Sequence, residues 1–227
     1  MSNDYQTLQP ELRENLQMMA AAQPCQTTEE VRALLEFNDK GQVKNTMQNV
    51  YLVFTCDPAL RRAIAHNILT GRIDICRPVW WERTTSAMND TDFNYLMLYL
   101  ENHYGLNNEN RIHKALTVAA HQNQYHPIRD YLNALQWDGT DRIPYALHHF
   151  LGAEVSDYTR EVMQLFLLGA INRVFKPGCK FETMLCLVGG QGAGKSTFFR
   201  LLACKDEWFS DDLKRLDDEN VFRKMQG

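Results

Sequence analysis

Met184-Leu185-Cys186-Leu187-Val188-Gly189-Gly190-Gln191-Gly192-Ala193-Gly194-Lys195-Ser196-Thr197 is the stretch from which the rest of the chain is read. Met184 to Val188 is an unbroken apolar run, which suits a central parallel strand buried on both faces. It runs straight into a glycine-rich turn. Phe198, Leu201 and Leu202 then have the spacing of an amphipathic helix reaching about Cys204. Gly-x4-Gly-Lys-Ser between a strand and a helix is the pattern of a phosphate-binding loop.

The residue types follow from the ligand. A triphosphate is compact and highly charged, so backbone N–H groups must approach it closely, and glycines clear the way and allow positive φ. The first helical turn adds N–H donors without internal partners and the positive end of its dipole. Within Gly189, Gly190, Gln191, Gly192, Ala193, Gly194, Lys195, Ser196 and Thr197, the Lys195 ammonium is expected between the β- and γ-phosphates of ATP. The Ser196 hydroxyl is expected on Mg2+ and Thr197 near the α-phosphate.

Phosphoryl transfer also needs a carboxylate on a second strand and a group that orients water. Thirty residues, 198–227, follow Thr197. Trp208-Phe209 with Ser210-Asp211-Asp212 has too few apolar residues for that strand. Lys205 to Asn220 holds seven acids and three bases and reads as a solvated acidic surface. Val221 to Met225 looks like the beginning of a helix. A doubly wound core needs about 150 residues, so this NTPase unit is expected to be incomplete, stopping before its metal carboxylate.

The 227 residues carry 24 Lys+Arg and 28 Asp+Glu, a formal net charge of −4, with 44% hydrophobic and 23% charged positions. Disorder and collagen-like repeats are excluded by that balance, and so is a wholly basic nucleic-acid coat. The N-terminus lacks a signal-peptide pattern and no apolar run approaches the roughly 18 residues of a membrane span, so a cytoplasmic protein is expected. Six cysteines at 25, 56, 76, 179, 186 and 204 form no Cys-x-x-Cys pair. Reduced thiols are expected, with Cys186 buried in its strand.

Three domains follow one another along the chain: a loosely organised lead-in over 1–26 with a weak helix from Pro10 to Ala22, a mostly helical domain over 27–138, and the start of the NTPase unit, with the loop, over 139–227. Thr27 and Glu30 fit a capping box. A helix is expected over Asp57–Leu69 ending at Gly71, then a strand over Arg72–Cys76. Three amphipathic helices follow, through Phe93–Tyr104, Ile112–Ala119 and Ile128–Leu135, with Pro127 at N1. Ile143–Leu151 is a further helix. Ser156 caps a long one to Phe175 whose apolar residues cover most of its circumference, so burial on more than one side is expected. The fold class is therefore an α-rich N-terminal domain with a small β element, followed by the first strand, loop and helix of an α/β P-loop NTPase.

From about residue 36 onward the sequence resembles the virulence-associated protein E family, P-loop ATPases of prophages and mobile elements. The likeness is carried by Phe37-Asn38-Asp39-Lys40-Gly41, Thr46-Met47-Gln48-Asn49-Val50, Gly71-Arg72-Ile73, Asp92, Tyr99-Leu100-Glu101, His126-Pro127-Ile128-Arg129-Asp130-Tyr131-Leu132 and Trp137-Asp138-Gly139. It continues through Pro177-Gly178-Cys179-Lys180-Phe181, the loop from Val188 to Phe198, and Trp208-Phe209-Ser210-Asp211. The resemblance implies a ring-forming ATPase, related to helicases, that acts on DNA during replication of a bacterial mobile element. Only residues 189–197 carry a family role over. The metal carboxylate, sensor and arginine finger of the family would fall beyond Gly227.

Two weaker signals remain. Arg61, Arg62, Arg72, Arg77 and Arg83 with Trp80 and Trp81 form a basic, aromatic stretch. It reads either as a DNA contact, with arginines on phosphates and a tryptophan on a base, or as tryptophans filling a core beneath ordinary surface arginines. His121, His126, His148 and His149 lack the company of a metal site and read as surface or capping residues. Two functions fit: an ATP-dependent replication protein, or a non-hydrolysing product that contacts DNA, replication partners or full-length ring protomers. A small-molecule kinase fits poorly with so much helix before the loop.

Overall fold

The computed structural model describes residues 24–211. The expected helix Pro10–Ala22, Asp212 and the expected helix start at Val221–Met225 lie outside the described residues. The chain divides between Tyr125 and His126 into two units, so the helix beginning at Pro127 belongs to the second rather than closing the first at 138.

In the first unit, α1 (Thr28–Ala33) begins where the Thr27 hydroxyl accepts from the Glu30 N–H. The return arm of the expected box is displaced by one residue, because the Glu30 carboxylate accepts from the Gln26 N–H at 2.7 Å. α2 (Met47–Cys56) is capped by Thr46, and Asn49 through Phe54 are all buried along it. A helix apolar on every side carries no amphipathic rhythm, which is why the sequence pattern hides it. The expected helix over Asp57–Leu69 does not form. Asp57 ends α2 with extended backbone, and the chain turns through Leu60 into β1 (Ile64–Asn67). β1 pairs antiparallel with β2 (Arg72–Ile75), with Ile64 opposite Ile75 and Asn67 opposite Arg72. β2 lies where the sequence puts it, ending at Ile75 rather than Cys76, while Gly71, at φ 68°, closes the turn between two strands instead of ending a helix.

α3 (Asp90–Tyr104) and α4 (Glu109–Gln122) complete the unit. α3 has a full capping box between Asn89 and Asp92 and ends on Gly105 at φ 70°. α2 is enclosed by Leu96, Leu100 and Tyr104 of α3 and by Ile112, Ala115, Leu116, Ala119 and Ala120 of α4 in one core. The alanines of α4 let the helices approach closely.

Three buried carboxylates tie these elements together. Asp57, fully buried, accepts from the Tyr99 and Tyr104 hydroxyls at 2.9 and 2.6 Å and from the Ala59 and Leu60 N–H groups. Asp74 accepts from the Asn67 amide at 2.9 Å and the Tyr125 hydroxyl at 2.5 Å. Asp92 accepts from the Trp81 indole at 2.7 Å, the Arg83 guanidinium at 2.8 and 3.0 Å, and the Asn89 N–H. Burial alone would raise the Asp92 pKa. The hydrogen bonds from Arg83 and Trp81 outweigh it and hold the carboxyl at about 2.

Asn49 does the same work with a neutral side chain. Its amide donates to the Glu36 and Lys44 carbonyls and accepts from the Glu36 N–H, closing the 36–44 loop around the turn at Asn38.

Asp92→Asn removes the charge that balances Arg83 and should destabilise the first unit by about 3–5 kcal/mol at neutral pH, read from the urea midpoint. With a folded pKa of about 2 against the ordinary 3.8, the contribution is complete above about pH 4. It is lost as pH falls through about 2. The acid limb of stability should therefore flatten in the variant. Identical limbs in both proteins would remove this pair from the account.

Candidate functional site

The second unit contains α5 (Pro127–Ala134), α6 (Ala146–Leu151), α7 (Asp157–Phe175) and α8 (Lys195–Leu202), with short 3-10 turns at Ile143–Tyr145 and Asp206–Trp208. His126 caps α5, its Nδ1 accepting from the Arg129 N–H, with Pro127 at N1 as the sequence indicates. Burial lowers the His126 pKa, which keeps the ring neutral and able to accept. Ser156 and Thr159 form the capping box of α7, and Gly152 ends α6 at φ 68°. α5 is tied to α7 through Arg129, whose Nε donates to the Val174 carbonyl at 2.8 Å.

The core of this unit is small: Leu147, Met163 and Phe198, with Leu185, Leu187, Phe199 and Leu202 packed against them. Two expectations are corrected here. α7 is not buried on several sides, for Met163 and Gly169 are its buried residues while Leu165, Leu168, Ile171 and Phe175 are exposed. The described residues bring too little apolar surface to cover its circumference. Met184–Val188 is not a strand buried on both faces, and it pairs with no strand among the described residues. Leu185 and Leu187 face the core, while Met184 and Val188, 82% and 97% exposed, and Cys186 face outward. The segment is thus apolar on both sides but covered on one.

Gly169 positions the lead into that segment. The Phe181 ring lies against it so closely that a Cβ there would come within 2.2 Å of the ring. The Arg173 guanidinium donates to the Phe181 carbonyl at 3.1 Å and sits 5.9 Å from its ring.

Gly189 to Gly194 then form the glycine-rich turn. Gly192 and Gly194 both have φ 80°, and Gly194 is the N-cap of α8, where no side chain caps the helix. The first helical hydrogen bond runs from the Phe198 N–H to the Gly194 carbonyl at 2.8 Å. The N–H groups of Lys195, Ser196 and Thr197 precede it, in the turn where a helix supplies no acceptors. The Lys195 ammonium folds over the turn and donates to the carbonyls of Gly189 and Gly190 at 2.9 and 2.7 Å. Ser196 and Thr197 are exposed beside it. Phe198 anchors the helix in the core, and a guanidinium pair of Arg200 with Asp206 follows. Asp211 is exposed and lies in no strand.

The basic, aromatic stretch of the first unit separates into two sets. Trp81 is 9% exposed and Arg83 is paired to Asp92, so both serve as interior supports. The reason is the buried Asp92 carboxylate, which needs both as donors. Trp80 keeps half of its surface. Arg61 donates to the Cys25 carbonyl and Arg77 to the Arg61 carbonyl, while Arg62 and Arg72 are exposed. A polar hollow of about 560 Å3 is lined by Arg83, Asn89 and Asp92 among others, but its charges are already matched to one another. Among the described residues there is no cluster of three or more metal-ligating side chains, and no helix is long and apolar enough to cross a membrane.

Gly169→Ala should destabilise the second unit although alanine favours a helix interior by about 1 kcal/mol over glycine, because the methyl displaces Phe181. A raised melting temperature would show that the ring does not need that approach.

Residues 132–227 match the model of the virulence-associated protein E-like domain. The likeness carried by Phe37 to Tyr131 lies outside that match, and no curated protein matches the chain. The second unit, from Leu132 onward, is similar to that domain.

Proposed function

We propose that Gly189–Thr197 is a phosphate-binding loop for ATP and Mg2+, in a virulence-associated protein E-like ATPase of a phage or mobile element. The observation that carries this reading is Lys195. Its ammonium is held over the loop by two neutral carbonyl oxygens, acceptors that phosphate oxygens can replace with stronger, charge-assisted bonds.

The donor set fits a polyanion. Residues 189–197 include no acid, and they offer an ammonium, two exposed hydroxyls and the open first turn of α8. The glycines keep side chains out of the approach. In this reading Lys195 holds the β- and γ-phosphates, Ser196 supplies one oxygen to Mg2+, and Thr197 serves the α-phosphate. Bound Mg2+ would neutralise phosphate charge. In this reading the protein works with DNA, as a homo-oligomeric ring in the replication of a bacterial mobile element, in the cytoplasm and without a membrane.

ATP with Mg2+ at about a hundred times its Kd should stabilise the chain by about 2.7 kcal/mol, seen as a raised melting temperature. Lys195→Ala should lose that protection while melting normally without nucleotide. Equal protection of the two proteins would refute the site.

A further inference from the structure

We propose that an exposed aromatic ladder on the first unit is a docking surface for single-stranded nucleic acid, independent of the nucleotide loop. The rings are Trp80, Tyr95, Tyr99 and His103. The last three stand four residues apart on α3 and so share one face of it. Trp80 lies 4.7 Å from Tyr99, and Tyr99 lies 4.4 Å from His103. Trp80 also meets Trp81 edge-on at 4.7 Å, and Tyr95 stacks on Trp81 at 5.1 Å with ring planes 11° apart. Trp80, Tyr99 and His103 therefore form one contiguous row, and Tyr95 is joined to it through the buried Trp81.

Its inner members are pinned from below. The Trp81 indole is held by Asp92, and the Tyr99 hydroxyl donates to Asp57. Outside them, Trp80 and Tyr95 are 50% and 40% exposed, and His103 is exposed. Trp80 contrasts with its neighbour Trp81, which has lost its surface to the core. A ring surface that is open yet anchored has little side-chain freedom left to lose when a flat ligand stacks on it.

Burial also sorts the charges around the ladder. Residues 40–85 hold seven bases and three acids. Two of those acids, Asp57 and Asp74, are buried and occupied by tyrosine hydroxyls. Glu82 is the exposed acid of the segment. Arg62, Arg72 and Arg77 are exposed. Arg61 and Arg77 each spend an N–H on a backbone carbonyl and keep other donors of the guanidinium. The Arg61 turn is continuous with the ladder, since the Arg61 N–H donates to the carbonyl of Asp57, which holds Tyr99. At His103, Arg32 donates to its backbone carbonyl.

Stacking faces with Arg61 and Arg77 beside them match one polymer chemistry. An unpaired strand offers base faces and a negative backbone together. A duplex hides the base faces, and a proline-rich peptide leaves the arginines without counter-charge.

The test is fluorescence anisotropy of the full chain with labelled oligothymidylate, oligouridylate, an abasic strand of equal charge, a duplex and a proline-rich peptide. Either base-bearing strand should bind about tenfold or more tightly than the abasic strand. A preference between the two then names the sugar. Trp80→Ala should lose that discrimination while retaining the weaker abasic binding, and Trp80→Phe should restore most of it. Arg62→Ala with Arg77→Ala should reduce the slope of log affinity against log salt. Equal affinity of wild type and a normally melting Trp80→Ala for the base-bearing strand would overturn the proposal. So would equal affinity of the wild type for base-bearing and abasic strands, a readout that needs no variant to fold. Tighter binding of the duplex, or of the peptide, would overturn it as well.

Discussion

A carboxylate removed from water is tolerated only while its oxygens are engaged by donors, and Asp57, Asp74 and Asp92 impose that condition throughout the first unit. Each is met by side chains from outside its own helix or strand. Asp57 at the end of α2 holds two tyrosines of α3, Asp74 of β2 holds Asn67 and Tyr125, and Asp92 of α3 holds Trp81 and Arg83. Losing one partner would leave desolvated charge, at a cost of several kcal/mol, where a surface ion pair would cost little. The polar bonds therefore fix which helices meet, while the apolar core between α2, α3 and α4 supplies the driving force.

The same condition shapes the surface. Acids drawn inward leave bases outside, so a chain with an acidic net charge presents a local excess of arginine between residues 40 and 85. It also divides two adjacent tryptophans. Trp81 is turned inward by Asp92 and Trp80 is left on the outside against Tyr99. Blocks that carry the family resemblance in this unit acquire a structural explanation as well. Asn49 closes the 36–44 loop, Thr46 caps α2, and Asp92 completes the capping box of α3. These are positions where a polar side chain answers a backbone group.

The second unit follows a different rule. Its core is three buried side chains with a partly buried fringe, and its apolar residues outnumber the places in which to bury them. Leu185 and Leu187 find a core on one side, and Met184, Cys186 and Val188 do not. α7 likewise keeps Leu165, Leu168, Ile171 and Phe175 exposed. The glycine-rich turn is nevertheless well defined locally, because Gly192 and Gly194 adopt positive φ and Phe198 fixes the helix that follows.

Local chemistry is legible in the sequence itself. Thr27, Pro127 and Ser156 start helices, Gly105 and Gly152 end them, and the loop from Gly189 to Thr197 is contiguous, so its composition announces its shape. Long-range burial is not. α2 is hidden in the sequence because a helix enclosed on all sides has no polar face to mark its period, and the turn after it reads as helix because the buried Asp57 carboxylate that caps it is set by partners far along the chain. The aromatic ladder joins Trp80 of a loop to Tyr95, Tyr99 and His103 of α3, and no spacing rule unites them. Turns and caps depend on neighbours within a few residues, which the order of amino acids already specifies. Which apolar face is covered, and which arginine or tryptophan is consumed inside, depends on partners brought together by the fold.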